Sequence, residues 1–133
     1  MPITIVDNAF VTLWYHRDKK IVHHQIHKFI TGNDFRSFLM AGADVLKKNM
    51  ARKWLSDDRG NHVLGKADLE WSQTQWAPQV ARSGWKHWAI VRPEKVLATV
   101  AMERLVTKYA ALGVSAKFFA DPHEAFGWLE KQT

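Results

Sequence analysis

The sequence predicts an α/β fold: a mixed sheet of about five or six strands, antiparallel at the N-terminal end and followed by βαβαβα, with four main helices. Three observations predict it. The first thirty residues carry β-branched and aromatic runs separated by short polar turns, the signature of antiparallel strands. From residue 31 onward, segments of helical period alternate with short apolar runs, which implies parallel strands joined by right-handed crossovers. The chain has 133 residues, 47% hydrophobic and 24% charged, ordinary usage for one folded domain spanning 1–133. Area scaling gives burial of about 68% of the unfolded surface.

Ile3 to Val6 reads as a short strand, Phe10 to Tyr15 as a second and Ile21 to Ile30 as a third. Thr31-Gly32-Asn33-Asp34 fits a capping box. Phe35, Phe38, Leu39, Gly42, Val45, Leu46 and Met50 then recur at helical spacing and predict a helix over 33–49. Arg52 to Ser56 is a strand, and Asp57 to Gly65 a loop by its Asp, Gly and Asn content. Ala67 to Arg82 reads as a helix that kinks or restarts near Ala77, because Pro78 removes a donor and crowds the preceding turn. Trp85 to Arg92 is a central parallel strand. Thr99 to Leu112 is a helix stopped by Gly113, and Val114 to Phe119 a strand. Asp121-Pro122-His123-Glu124 supplies an N-cap, a proline at the first helical position and an acid for the last helix.

Composition excludes several classes. There is no cysteine, hence no disulfide, thiolate metal site or Cys nucleophile. The longest apolar runs are four residues, too short for a membrane span or a signal-peptide core, so a cytoplasmic location is expected. The net charge of +6 is spread as surpluses of +2 over residues 1–32, +3 over 33–66 and +1 over 67–133. Without a basic cluster, nucleic acid is not an indicated partner. Seven tryptophans are the more unusual feature.

Four stretches carry a family resemblance: VTLWYHRDKKIVHHQIHKFITG at 11–32, KWLSDDRGN at 53–61, EWSQTQWAPQVARSGWKHWAIVRPEKV at 70–96 and FADPHEAFGWLE at 119–130. They resemble the STAS-like domains, the SpoIIAA-like relatives of anti-sigma-factor antagonists, in the branch described as STAS/SEC14 domain-containing. The resemblance implies the SpoIIAA-like fold and a non-enzymatic regulatory or protein-interaction role. It does not imply the family's phosphorylation switch. That serine lies in an Asp-Ser-small-Gly pattern, whereas this chain has Leu55-Ser56-Asp57-Asp58-Arg59-Gly60. A phosphate on Ser56 would face two acids and be repelled.

Asp57, Asp58 and Arg59 follow a predicted parallel strand at its carboxyl end, where ligands bind in open α/β sheets. The alternative is a loop that caps the next helix and pairs its own charges. Trp71 and Trp76 are five apart, about 140° on a regular helix, so they do not both face one core. One of them, with Arg59 and Lys66, would suit a small apolar or acyl ligand. His23 and His27 are a weak alternative metal pair. They neighbour each other on a helix but lie about 13 Å apart on a strand, where His24 points to the opposite face. No catalytic motif, metal set or cofactor fingerprint is present. Three readings follow: a regulatory module with a protein partner or a homodimer; a small-molecule or lipid-binding domain with its pocket at the Asp57-Asp58-Arg59 edge; and an acid/base enzyme using Asp57 or Asp58.

Overall fold

A computed structural model describes residues 2–133. Six strands form one sheet in sequential order: β1 (Ile3–Asp7), β2 (Val11–His16), β3 (Ile21–Ile26), β4 (Lys53–Asp57), β5 (His87–Val91) and β6 (Ser115–Phe119). The pairs β1–β2 and β2–β3 are antiparallel, and β3 to β6 are parallel. The helices are α1 (Gly32–Lys48), α2 (Lys66–Trp71), α3 (Ala77–Arg82), α4 (Val96–Ala110) and α5 (Pro122–Glu130). A π-helical turn, Ser72–Trp76, joins α2 to α3 into one rod, so the helical segments number four. This is the mixed α/β architecture that the sequence predicts.

The strand order decides where the helices go. Each of the three parallel crossovers advances one strand in the same direction. Right-handed connections then place α1, the α2–α3 rod and α4 on one face. The main core forms there, from Val22, Trp54 and Trp88 of the sheet, Phe38 and Leu46 of α1, Val80 of α3 and Leu105 of α4. Helix α5 has no strand to follow it and folds back over the other face. Its Ala125 and Leu129 pack on Ile21, Leu55, Ala89, Val91 and Phe119. Strands β4 and β5 are therefore covered on both sides, and only their first residues are less than fully buried.

Helix α1 buries Phe35, Phe38, Leu39, Gly42 and Leu46, one face at helical spacing. Gly42 is the seat of Trp54: a methyl group there would collide with the indole ring. The start of α1 differs from the predicted capping box. Thr31 is the N-cap residue but makes no side-chain cap bond. Its hydroxyl donates instead to Asp68 Oδ2 at 2.8 Å, and the Gly32 N–H donates to the same oxygen at 2.9 Å. An acid of α2 thus caps α1 across 36 positions of sequence. Burial by itself would raise the Asp68 carboxyl; the hydrogen bonds from Gly32, Thr31 and Arg36 outweigh it and hold the group below its ordinary range. The predicted cap of the last helix is present, with Asp121 accepting the His123 N–H at 2.7 Å.

Three further details depart from the sequence expectations. Strand β3 ends at Ile26, not Ile30, because the next residues turn toward α1. Trp85 precedes β5 and enters the core from the turn after α3. The helix around Pro78 restarts at Ala77 as expected, but through a π turn in which the Ala77 N–H bonds to the Ser72 carbonyl. A proline ring clashes with the carbonyl four residues back, and a wider turn relieves that clash. The wider turn also brings Trp71 and Trp76 together. Both border one surface groove of about 880 Å³ between α1 and α3.

Trp14, His16 and His23 form a cluster on the α5 side of the sheet. His16 Nε2 and His23 Nδ1 lie 3.1 Å apart, Trp14 is 4.7 Å from the His23 ring, and Phe126 of α5 meets the His16 ring edge at 4.9 Å. Burial, reinforced by His16 and His24, lowers His23 to about 3, with Asp57 opposing the shift. An unfolded histidine protonates near 6.5. The stabilisation from a neutral His23 is therefore complete above pH 6.5 and is lost as the pH falls from 6.5 toward 3.

Two measurements check this packing. Gly42→Ala is expected to lower the urea unfolding free energy by roughly 1–3 kcal/mol through overpacking against Trp54. Gly127→Ala, at a helical position of α5 with open space around it, is expected to raise it by roughly 0.5–1 kcal/mol. Between pH 6.5 and 3, His23→Gln is expected to flatten the dependence of stability on pH by about 1.4 kcal/mol per pH unit. An unchanged slope would show that His23 does not titrate late.

Candidate functional site

The region after β4 is built by the sheet register. His24 of β3 pairs with Ser56 of β4, and Val22, Trp54 and Trp88 form the adjacent row on the same face. Alternation sends His24, Trp54 and Ser56 under the helices, while His23, Leu55 and Asp57 point to the α5 side. Asp58 follows directly, and its N–H donates to the Val91 carbonyl at 3.1 Å. The next turn is pinned by Gly60, where a Cβ would meet the Ile26 and His27 carbonyl oxygens. Only glycine allows the loop to pass that close to the end of β3.

Asp57 and Asp58 are adjacent and both buried, at 3% and 2% exposure, yet they have different partners. Asp57 accepts two bonds from the Arg59 guanidinium, from Nε at 2.9 Å and from the terminal nitrogen at 2.7 Å, and a longer one from the Arg59 N–H at 3.4 Å. The Asp57 carboxylate raises the Arg59 guanidinium above its ordinary value. The charge pairing of the alternative reading is present, but its helix cap is not: the N-cap of α2 is Gly65, with no side-chain cap bond. Asp58 turns inward instead and meets His24 Nε2 at 2.9 Å.

On the far side of the ring, the Trp54 Nε1–H donates to His24 Nδ1 at 2.9 Å. An indole nitrogen only donates, so Nδ1 must be the acceptor and the ring proton sits on Nε2, donated to Asp58. Tryptophan thus fixes the histidine tautomer, and histidine orients the carboxylate. A similar pairing lies beside it, where the Trp88 Nε1–H donates to Ser56 Oγ at 2.8 Å.

These groups border an internal cavity of about 50 Å³ between the sheet and helices α1 and α4 and the π turn. His24, Ser56, Asp58 and Asn61 are its polar wall on the sheet side. Its aromatic wall includes Trp54, Trp76, Trp85, Trp88 and Tyr109. Trp85 is the hub of these rings, with centroids 6.0 Å from Trp54, 5.4 Å from Trp76, 5.5 Å from Trp88 and 5.8 Å from Tyr109. Burial pushes the Tyr109 hydroxyl up to about 12, and that hydroxyl lies 3.4 Å from both oxygens of Ser72 in the π turn. The cavity shares wall residues with neighbouring voids. It shares Asn61, Leu64, Met102 and Leu105 with a void of about 20 Å³. That void shares His62 and Val63 with an open groove of about 470 Å³ rimmed by Phe29, Val96 and Leu97.

Of the six residues singled out by sequence, Asp58 and Trp76 line the cavity. Asp57 and Arg59 pair with each other, and Lys66 is exposed at the start of α2. Trp71 is half-buried beside Phe35 and beneath Arg36, whose guanidinium lies 5.2 Å from the indole. His23 and His27 are held apart, His23 against His16 and His27 Nε2 2.8 Å from Thr12 Oγ1. Among the described residues, no group of three His, Cys, Asp or Glu is placed to hold a metal ion. Sequence reasoning did not single out Trp54, Trp88, Ser56 and Tyr109 as cavity residues. The period-two alternation that turned His24 away from His23 was the one signal pointing there.

Ser56 lies inside β4 beneath Trp88 and is 3% exposed, so its hydroxyl is closed to a kinase in this structure. No helix among the described residues is long and apolar enough to cross a membrane. No protein-family model, curated protein or solved structure matches the chain.

The tautomer of His24 is directly measurable. A nitrogen-15 spectrum of the imidazoles is expected to show His24 with a protonated Nε2 and a bare Nδ1. Trp54→Phe is expected to remove that signature and cost about 1–3 kcal/mol, since it leaves a buried acceptor unpaired. A wild-type His24 protonated at Nδ1 would contradict the relay.

Proposed function

We propose that this chain is a STAS-like, non-enzymatic regulatory module whose input is a small molecule bound in the aromatic cavity at the end of β4. The observation that carries the reading is the cavity in which buried polar groups of β3, β4 and the following loop face an apolar, aromatic wall. The acid/base reading has less support. Asp58 is engaged by His24, Ser56 Oγ accepts from Trp88, and no nucleophile is activated by a base.

The size of the cavity narrows the ligand. A cavity of about 150 Å³ holds benzene. One of 50 Å³ accommodates only about two or three heavy atoms by that proportional comparison, so a small molecule fits better than an acyl chain. The Asn61–Leu64 loop borders both the cavity and the adjoining void. Phe29, Val63, Val96 and Leu97 are exposed at the groove on the outer side of that loop, so a ligand that reorders the loop would alter an apolar surface that a regulatory partner can read.

The test is a titration of the full chain with small neutral, cationic and anionic molecules, read by tryptophan fluorescence and by amide exchange. Saturable binding is expected to change the emission of the cavity tryptophans and to slow exchange at 61–64. No saturable response to any of the three classes would overturn the reading.

A further inference from the structure

Three buried acids lie close to this end of the molecule, and two of them have a cationic partner. Asp57 has Arg59, bidentate. Asp68 has Arg36 at 3.1 Å in addition to Thr31 and the Gly32 N–H. Asp58 is as buried as either and has only the His24 ring on Oδ1. Its second oxygen accepts no hydrogen bond among the described residues.

His24 does not supply the missing charge. An imidazolium donates from both nitrogens, and Nδ1 already faces the Trp54 N–H at 2.9 Å. A proton there would set donor against donor. The relay therefore delivers one hydrogen bond to Oδ1, and no lysine or arginine pairs with the carboxylate. Burial of an unpaired carboxylate is costly, and a counter-charge on its free side removes much of that cost.

Asp58 lines the cavity. No lysine or arginine lines it. The faces and edges of Trp54, Trp76, Trp85, Trp88 and Tyr109 surround it, and aromatic rings present negative faces that attract cations. An anionic ligand would meet a like charge at Asp58, whereas a cation meets both an anion and aromatic rings. The surface surplus of +6 is screened over about 8–10 Å of salt solution, while Asp58 stands at the cavity wall.

We propose that the cavity is a binding site for a small primary ammonium cation, its charge against the free oxygen of Asp58 and its short alkyl part against the tryptophans. This rests on the small-molecule reading above and names the ligand class. Methylammonium and ethylammonium have the two to three heavy atoms that the volume allows, by the roughly proportional comparison with benzene.

The experiment uses the full chain at constant ionic strength. Ethylammonium, ethanol and acetate are titrated separately, with binding read by calorimetry and by the indole N–H resonance of Trp54. Ethylammonium is expected to bind at least tenfold more tightly than ethanol, with acetate weakest. Asp58→Asn is expected to abolish the difference between ethylammonium and ethanol, with its fold checked by the dispersion of the indole resonances. Glu94→Gln removes one exposed negative charge that does not line the cavity and is expected to leave the preference intact. Should ethanol or acetate bind wild type as tightly as ethylammonium, the cation assignment is overturned while the cavity remains a ligand site. Should none of the three bind, both readings fall. The wild-type comparison decides the matter even if Asp58→Asn does not fold.

Discussion

One indole N–H sets the state of the interior. Trp54 lies in the gap that Gly42 leaves on α1, and from there its nitrogen reaches His24 Nδ1. Because tryptophan only donates, that contact assigns the histidine proton to the other nitrogen and points it at Asp58. The packing of a helix on a sheet and the chemistry of a carboxylate are thereby one problem. Buried polar chains of this kind are rigid when every member is satisfied and costly when one is not.

The topology explains why so much aromatic surface collects on that side. With the strands in sequential order, all three crossovers share one face, and the rings of β4, β5, the π turn and α4 meet under them. The parallel strands have no reversal of order, so no crevice opens between helices on opposite faces. The recess lies beneath the helices instead, between sheet and rod. Aromatic side chains are large and meet at tilted or edge-to-face angles, and such shapes leave small voids when several converge on one point. Trp85, in contact with four other rings, is that point.

The periodicities of the chain were a good guide wherever a contact is local. The strand and helix order, the restart at Ala77 and the Asp121 cap all depend on residues within one turn of each other. They failed where a partner comes from elsewhere. Thr31 looks like a capping-box residue, but Asp68 is close in space and a charged acceptor is the stronger one, so the hydroxyl turns to it. Trp71 and Trp76 look misaligned on a regular helix, and Pro78 forces the wider turn that aligns them. The candidate site was half legible for the same reason. Two adjacent aspartates after a strand mark a place of interest, but their spacing says nothing about which turns outward to Arg59 and which turns inward to His24.

The sequence by itself determined the class of fold, the Asp121 cap of the last helix, and the place along the chain where acids meet the end of a strand, because these follow from periods of two and 3.6 residues and from local backbone chemistry. Only the tertiary structure decided the partners: Trp54 with His24, Ser56 with Trp88, Asp68 with the start of α1, and the five rings around one cavity. Those pairs are 30 to 36 residues apart. They meet through the register of parallel strands and the common face of their crossovers, and neither is written in any short stretch of the chain.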